Sequence, residues 1–200
     1  MQNKKQKRKQ ELERVAKEIT VCQKCRLAKT RKMAVPGEGN VGAKYFIIGQ
    51  GPGVNEDKTG RPFVGRAGKL LTELLALAGI DRQKETFITS VVKCFPTPPP
   101  NRKPKPDEVA ACCGYLARQI ELVGAKKIIL LGDCAFKVLF PKDKFSDWRG
   151  RWRQLGKRDF FIFYHPAAGI RFKRFKKILE SDFKNLNSKG HFPAKVGVRP

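Results

Sequence analysis

Acidic residues are scarce in this 200-residue sequence, which has 18 Asp and Glu against 43 Lys and Arg, a formal net charge of +25. It also lacks an apolar run long enough to cross a membrane. The first nine residues contain no apolar segment, so we expect no secretory signal and a cytoplasmic location. The shortage of negative charge favours a polyanionic partner, and nucleic acid ahead of an anionic membrane. A merely solubilising surface is the alternative explanation of the charge.

Four apolar runs, which predict buried strands, alternate with helical patterns; they cover residues 44–49, 86–92, 127–132 and 159–164. The helical patterns cover residues 10–19, 66–78, 107–122 and 172–186. This alternation predicts a three-layer α/β/α sandwich with a central four-stranded parallel sheet. We expect a disordered basic arm over residues 1–9, a single domain over 10–187 and a tail over 188–200.

Two segments carry no regular pattern. Six prolines from residue 96 to residue 106 predict an extended loop without helix or strand. Residues 140–156 are predicted to be irregular.

A glycine-rich turn at residues 49–65 lies between the first strand and the following helix. In an open parallel sheet such a turn sits at the carboxyl edge, where ligands bind. Glu56 and Asp57 are acidic residues in a very basic chain, which indicates a specific role for this turn. The ends of the second and fourth strands bring Ser90 and His165 to the same edge. We interpret the turn as the floor of an active site for a nucleic-acid base.

Cysteine spacing indicates a possible metal site. Cys22 and Cys25 have the C-x2-C spacing that allows two thiolates to bind one centre, and Cys94 and Cys112 would complete a four-thiolate set. The spacing alone favours zinc and an iron–sulfur cluster equally. The alternative for Cys94 and Cys112 is that they are merely buried. Cys113 adjoins Cys112 on one predicted helix, so only one of the two can face the same centre.

Several of these segments together resemble family 4 of the uracil-DNA glycosylase superfamily, the iron–sulfur type of bacteria and archaea. The resemblance covers roughly residues 12–187. The segments that carry it are Cys22-x2-Cys25, Val35 to Asn40, Gly49 to Gly65, Val91 to Cys94, Asn101-Arg102, Pro106 to Ile120 with Cys112, and His165 to Ala168.

The resemblance implies an enzyme that extrudes uracil from DNA and hydrolyses its N-glycosidic bond. It also implies a 4Fe-4S cluster on Cys22, Cys25, Cys94 and Cys112. The partner would be single- or double-stranded DNA containing uracil, with no membrane, and we expect a monomer.

Roles for individual residues follow from the same resemblance and from the chemistry. Phe63 would stack on the base, and His165 would donate to a base carbonyl together with backbone N–H groups of the turn, such as that of Gly51. Glu56 would orient or deprotonate water. The predicted DNA contacts are Ile170 as an apolar wedge, Arg171 as the alternative wedge, and the basic run that includes Lys173 and Arg174.

Two departures from the family pattern concern the chemistry. Gln50 stands where the family has Glu, and Ser90 stands where it has Asn. Gln50 can hold water but cannot act as a base, and Ser90 cannot offer both a donor and an acceptor to one base edge. The competing hypotheses are a glycosylase with altered base preference, a weakly active or non-catalytic DNA-binding relative, and an RNA- or structure-binding protein.

Overall fold

The computed structural model describes residues 2–100 and 102–186. The described residues form nine α-helices and six strands. The helices are α1 (Gln2–Thr20), α2 (Val54–Thr59), α3 (Arg66–Leu77), α4 (Arg82–Glu85), α5 (Pro106–Val123), α6 (Asp133–Leu139), α7 (Phe145–Trp148), α8 (Pro166–Arg171) and α9 (Lys173–Lys184). The strands are β1 (Glu38–Gly39), β2 (Tyr45–Gly49), β3 (Thr86–Ser90), β4 (Lys127–Leu131), β5 (Trp152–Leu155) and β6 (Arg158–Phe163).

The six strands form one sheet in the order β1-β3-β2-β4-β6-β5. The four central strands are parallel, with Ile47 of β2 paired to Ile88 on one side and Ile129 on the other. These are the four strands that the apolar runs predict. The edge strands β1 and β5 are antiparallel and were not predicted, because an edge strand needs no buried apolar run. The expectation that residues 140–156 are irregular is therefore wrong, since they hold α7 and all of β5.

Side chains alternate along the central strands between two separate cores. On one face Phe46 and Ile48 pack with side chains of α5 and α6, whereas on the other Tyr45 and Ile47 pack with side chains of α3 and α9. Helices thus cover both faces of the sheet, and the predicted α/β/α sandwich is confirmed.

A third, smaller core lies under α1. Val15 and Ile19 of this helix pack with Leu27 and with Tyr115 of α5. The helix begins at Gln2, so the prediction of a disordered arm is wrong over the described residues 2–9. In this segment the Arg8 guanidinium donates to the carbonyl of Leu122 at 2.6 Å. This hydrogen bond holds the basic first part of α1 against α5.

The predicted tail at 188–200 lies outside the described residues. Among the residues that are described, no helix is long and apolar enough to span a bilayer.

Candidate active site

A cavity of about 600 Å³ opens at the carboxyl edge of the central strands. The turn after β2, the end of β3 and the start of α8 all contribute to its walls. Eight of the predicted site residues line it: Gln50, Gly51, Glu56, Phe63, Ser90, His165, Ile170 and Arg171. The parallel sheet therefore brings together residues that are up to 121 positions apart in sequence, as the topology predicts.

Phe63 forms a wall of this cavity. Only 8% of the residue is exposed, and its ring lies against the backbone of Gly49, where a Cβ atom would come within 2.6 Å of the ring. The ring stacks beside that of His165, with 5.8 Å between the centroids. A flat aromatic face of this kind suits a flat heterocycle.

Glu56 braces the glycine-rich turn. Its Oε1 accepts hydrogen bonds from the backbone N–H groups of Val64 at 2.9 Å and Gly65 at 2.8 Å, while Oε2 accepts from Gly53 at 3.0 Å. A carboxylate offers about four acceptor positions, so one on Oε2 is left after these three bonds. The geometry fixes the turn and leaves Glu56 able to hold one water.

Asp57 joins the turn to a second segment of the chain. It is buried, and its Oδ1 accepts from the backbone N–H of Lys32 at 3.0 Å, which joins α2 to the segment before β1.

His165 is held as a neutral imidazole. Its Nδ1 accepts from the backbone N–H of Ala167 at 3.2 Å, so the proton of the neutral ring resides on Nε2. Burial lowers the pKa of His165 to about 4, against a smaller opposing effect of Glu56. At neutral pH the residue can therefore donate an N–H within the cavity without carrying a charge.

A buried ion pair holds the proline-rich loop over the cavity. The Arg102 guanidinium donates to both oxygens of Glu108, at 2.8 and 2.6 Å, and also to the carbonyl of Pro98. This pairing lowers the pKa of Glu108 and raises that of Arg102. The Gln50 amide donates to the carbonyl of Arg102 at 3.5 Å, so the loop and the turn meet at position 50.

A buried lysine lies behind the cavity. Lys93 Nζ donates to the carbonyl of Ser90 at 2.7 Å, to Thr89 Oγ1 at 2.6 Å and to Gln119 Oε1 at 2.8 Å. Burial lowers the pKa of Lys93 to about 7. The lysine thereby ties the end of β3 to α5.

The four predicted metal ligands line one small cavity beside α1 and α5. These are Cys22, Cys25, Cys94 and Cys112. Cys113 is exposed and its Sγ donates to the carbonyl of Ala110, so Cys112 is the member of the adjacent pair that faces the other cysteines.

The sulfur atoms are not drawn together around a point. Within residues 2–100 and 102–186, no three His, Cys, Asp or Glu side chains are arranged to hold a metal ion. Burial raises the pKa of the Cys94 thiol to about 11 and also raises the pKa of Cys112. Both shifts favour the protonated thiol over the thiolate. Four cysteines around one cavity match the ligand number of both a four-thiolate zinc site and an iron–sulfur cluster.

The predicted DNA contacts lie at the end of α8 and the start of α9. Ile170, at the end of α8, is 38% exposed on the cavity rim next to Arg171. Lys173 and Arg174 are exposed on α9 but do not line the cavity. The predicted wedge, Ile170, therefore lies in the cavity wall, whereas the predicted contacts Lys173 and Arg174 lie outside it.

Residues 36–186 match the family model of the uracil DNA glycosylase superfamily. The chain belongs to this superfamily, in its type-4 branch. A type-4 uracil-DNA glycosylase of Sulfurisphaera tokodaii is 43% identical over 198 residues, which cover 94% of this chain and 88% of that protein. The enzyme of the same type from Saccharolobus solfataricus is 45% identical, over 88% of this chain and 84% of its own. That of Archaeoglobus fulgidus is 41% identical, over 88% and 91%.

Membership of the type-4 family confirms the resemblance inferred from the motifs and leaves the individual roles of the site residues as predictions. Several wall residues were not predicted from the sequence, among them Arg66, Pro96 and Arg102. For Arg102 one signal was available, its place in the Asn101-Arg102 segment that carries the family resemblance.

Proposed function

We propose that this protein hydrolyses the N-glycosidic bond of uracil in DNA, with extrusion of the base as the first step. The observation that carries the proposal is the pairing of an aromatic wall, Phe63, with a neutral histidine donor, His165, in one cavity. The type-4 family and its named uracil-DNA glycosylases support the choice of uracil.

The chemistry requires negative charge to be stabilised on the departing base. In the proposed reaction the oxygen of water bonds to the anomeric carbon, the C–N bond breaks, and its electron pair leaves with uracil. The proton that the water loses passes to solvent, and the uracil anion takes up a proton from solvent. His165 donates a hydrogen bond from its Nε2–H group to a base carbonyl. Backbone N–H groups of the turn, such as that of Gly51, donate further hydrogen bonds. A neutral imidazole suits this task because it can donate the hydrogen bond at neutral pH without losing a proton beforehand.

The attacking water would be held by two side chains of the turn. Glu56 offers the acceptor position that remains on Oε2, and Gln50 offers its amide oxygen, since its nitrogen faces the carbonyl of Arg102. Glu56 in this arrangement orients the water, and its negative charge faces the cationic sugar of the transition state.

DNA binding would rest on the cationic surface near the cavity rim. Arg171, Lys173 and Arg174 contact phosphates, and Ile170 fills the space that the base leaves. The product is an abasic site of the kind that base excision repair processes.

The cofactor proposed for the cysteine cavity is a 4Fe-4S cluster on Cys22, Cys25, Cys94 and Cys112. Such a cluster would brace the start of the proline-rich loop against the segment after α1, without a redox step in the hydrolysis. A brown protein with thiolate-to-iron absorption supports it, whereas a colourless protein with stoichiometric zinc refutes it.

The test of the main proposal uses oligonucleotides that contain one uracil, single- and double-stranded, followed by alkaline cleavage at abasic sites. Strand breaks at the uracil position are expected, with thymine in place of uracil as the control. Tight DNA binding without strand breaks would overturn the enzyme assignment.

A weakly active DNA-binding relative is the second candidate. It is favoured by Gln50, whose amide occupies the family's carboxylate position, and by Ser90 at the base edge. Gln50→Glu combined with Ser90→Asn should then produce strand breaks that the natural protein does not.

A further inference from the structure

Phe63 has an unusual backbone for a bulky residue. Among the residues described, it is the one non-glycine residue with a positive φ, +52°. The left-handed region is disfavoured for side chains of this size, so surrounding contacts must hold the residue there. Those contacts decide where the aromatic wall of the cavity stands.

Two glycines leave room for this conformation. A Cβ atom at Gly49 would meet the Phe63 ring at 2.6 Å, and one at Gly68 would meet the Phe63 carbonyl oxygen at 1.8 Å. Both distances are too short for real atoms, so the ring and the carbonyl each lie directly against a glycine. Glycine permits the arrangement but does not hold it.

Arg82 supplies the hydrogen bonds that hold it. One guanidinium nitrogen, Nη2, donates to the carbonyls of Pro62 and Phe63, both at 3.0 Å. The other, Nη1, donates to Thr72 Oγ1 at 2.7 Å and to the carbonyl of Gly68 at 3.3 Å. A planar fork with several fixed donors can make these four bonds at once, which a lysine cannot.

The guanidinium reaches Phe63 from outside the base cavity. Arg82 is absent from the cavity wall and lies instead along a neighbouring groove that shares Phe63 with it. Arg82 therefore touches the backbone of the stacking residue from the side away from the base.

We infer that Arg82 is a positioning residue for base stacking: it clamps the left-handed backbone of Phe63 and so fixes the ring on which the extruded base lies. The inference rests on the proposed function, because the ring has this role only if a base enters the cavity. Arg82 is expected to act entirely through Phe63.

The experiment is a double-mutant cycle on full-length protein, with Arg82→Met, Phe63→Leu and the double variant. Each is assayed for kcat/KM of uracil release from a single-stranded oligonucleotide, at a temperature at which all are folded. Arg82→Lys is a second variant that keeps the charge without the fork. Arg158→Met is the matched control, since Arg158 is a half-buried arginine that pairs with Glu121 away from the cavity.

A second readout does not depend on catalysis. Hydrogen exchange of a peptide that covers residues 61–68 reports how firmly the Phe63 segment is held. Faster exchange is expected in Arg82→Met and Arg82→Lys, with no change in Arg158→Met.

Arg82→Met is expected to lower kcat/KM about tenfold, the size of a stacking contribution. In the Phe63→Leu background the same change should cost less than about twofold, because the ring that it positions is gone. Equal losses in both backgrounds, or unchanged exchange of residues 61–68, would overturn the inference. If the natural protein releases no uracil, the proposed function fails, and exchange still decides whether Arg82 holds Phe63.

Discussion

Glu56 provides a sharp test of the site, because bracing and catalysis predict different results for one substitution. In Glu56→Gln, the amide oxygen can keep the hydrogen bonds from Val64 and Gly65. The new NH2 group then faces the backbone N–H of Gly53, where the carboxylate Oε2 had accepted at 3.0 Å. Two donors face each other, and the negative charge at the start of α2 is lost.

The cost follows from these contacts. A hydrogen bond to a charged group contributes about 1.5–3 kcal/mol, and an acidic side chain at a helix N-terminus adds about 0.3–1 kcal/mol. We expect the free energy of unfolding to fall by about 2–4 kcal/mol. For a chain of this length that corresponds to a decrease in Tm of roughly 5–15 °C.

Thermal unfolding by circular dichroism measures the stability, and uracil release well below Tm measures kcat. If Glu56 braces the turn and orients water, kcat should fall about tenfold or less, whereas loss of a general base costs about 10²–10⁴-fold. Glu73→Gln, on the exposed face of α3, is the matched control and should change neither quantity. An unchanged Tm with a thousandfold lower kcat would refute the bracing argument.

Three further predictions concern other parts of the site. Gln50→Glu should raise kcat by about tenfold or more if a carboxylate at this position activates water, and an unchanged or lower rate would contradict this. Cys112→Ser should abolish the visible absorption of the proposed cluster, whereas Cys113→Ser should leave it intact; the reverse result would exchange the two assignments. Because burial lowers the pKa of His165 to about 4, the acid limb of the kcat/KM profile should lie near pH 4, and His165→Gln should remove it. The unfolded state binds the His165 proton more tightly, so the free energy of unfolding should also fall as the pH drops from about 6.5 to 4.

The central sheet and about half of the cavity wall could be predicted because they depend on local patterns. Parallel strands buried on both faces appear as uninterrupted apolar runs, as in Phe46 to Ile48, and their carboxyl ends must share one edge. Ser90 and His165 were therefore placed correctly without knowledge of their contacts.

The edge strands and the part of α1 before residue 10 were missed because their patterns are weak. Glu38–Gly39 is a strand of two exposed residues, which is paired to β3. The charge run before residue 10 resembles a solvated arm in composition. This run is instead the first part of α1. The helix is held in place by the burial of Val15 and Ile19 and by the hydrogen bond from Arg8 to the Leu122 carbonyl.

The contacts that set the chemistry link distant loops, which no local pattern encodes. The type-4 pattern identifies position 50 as a departure, but its meaning depends on the proline-rich loop, whose Arg102 carbonyl accepts from the Gln50 amide. A carboxylate at position 50 would face that carbonyl as a second acceptor, and this local repulsion would push the loop away. The loop is clamped independently by the pair of Arg102 with Glu108. Gln50 therefore favours the position of the proline-rich loop over the cavity. Gln50→Glu tests which limits the reaction, the position of this loop or the lack of a negative charge at position 50.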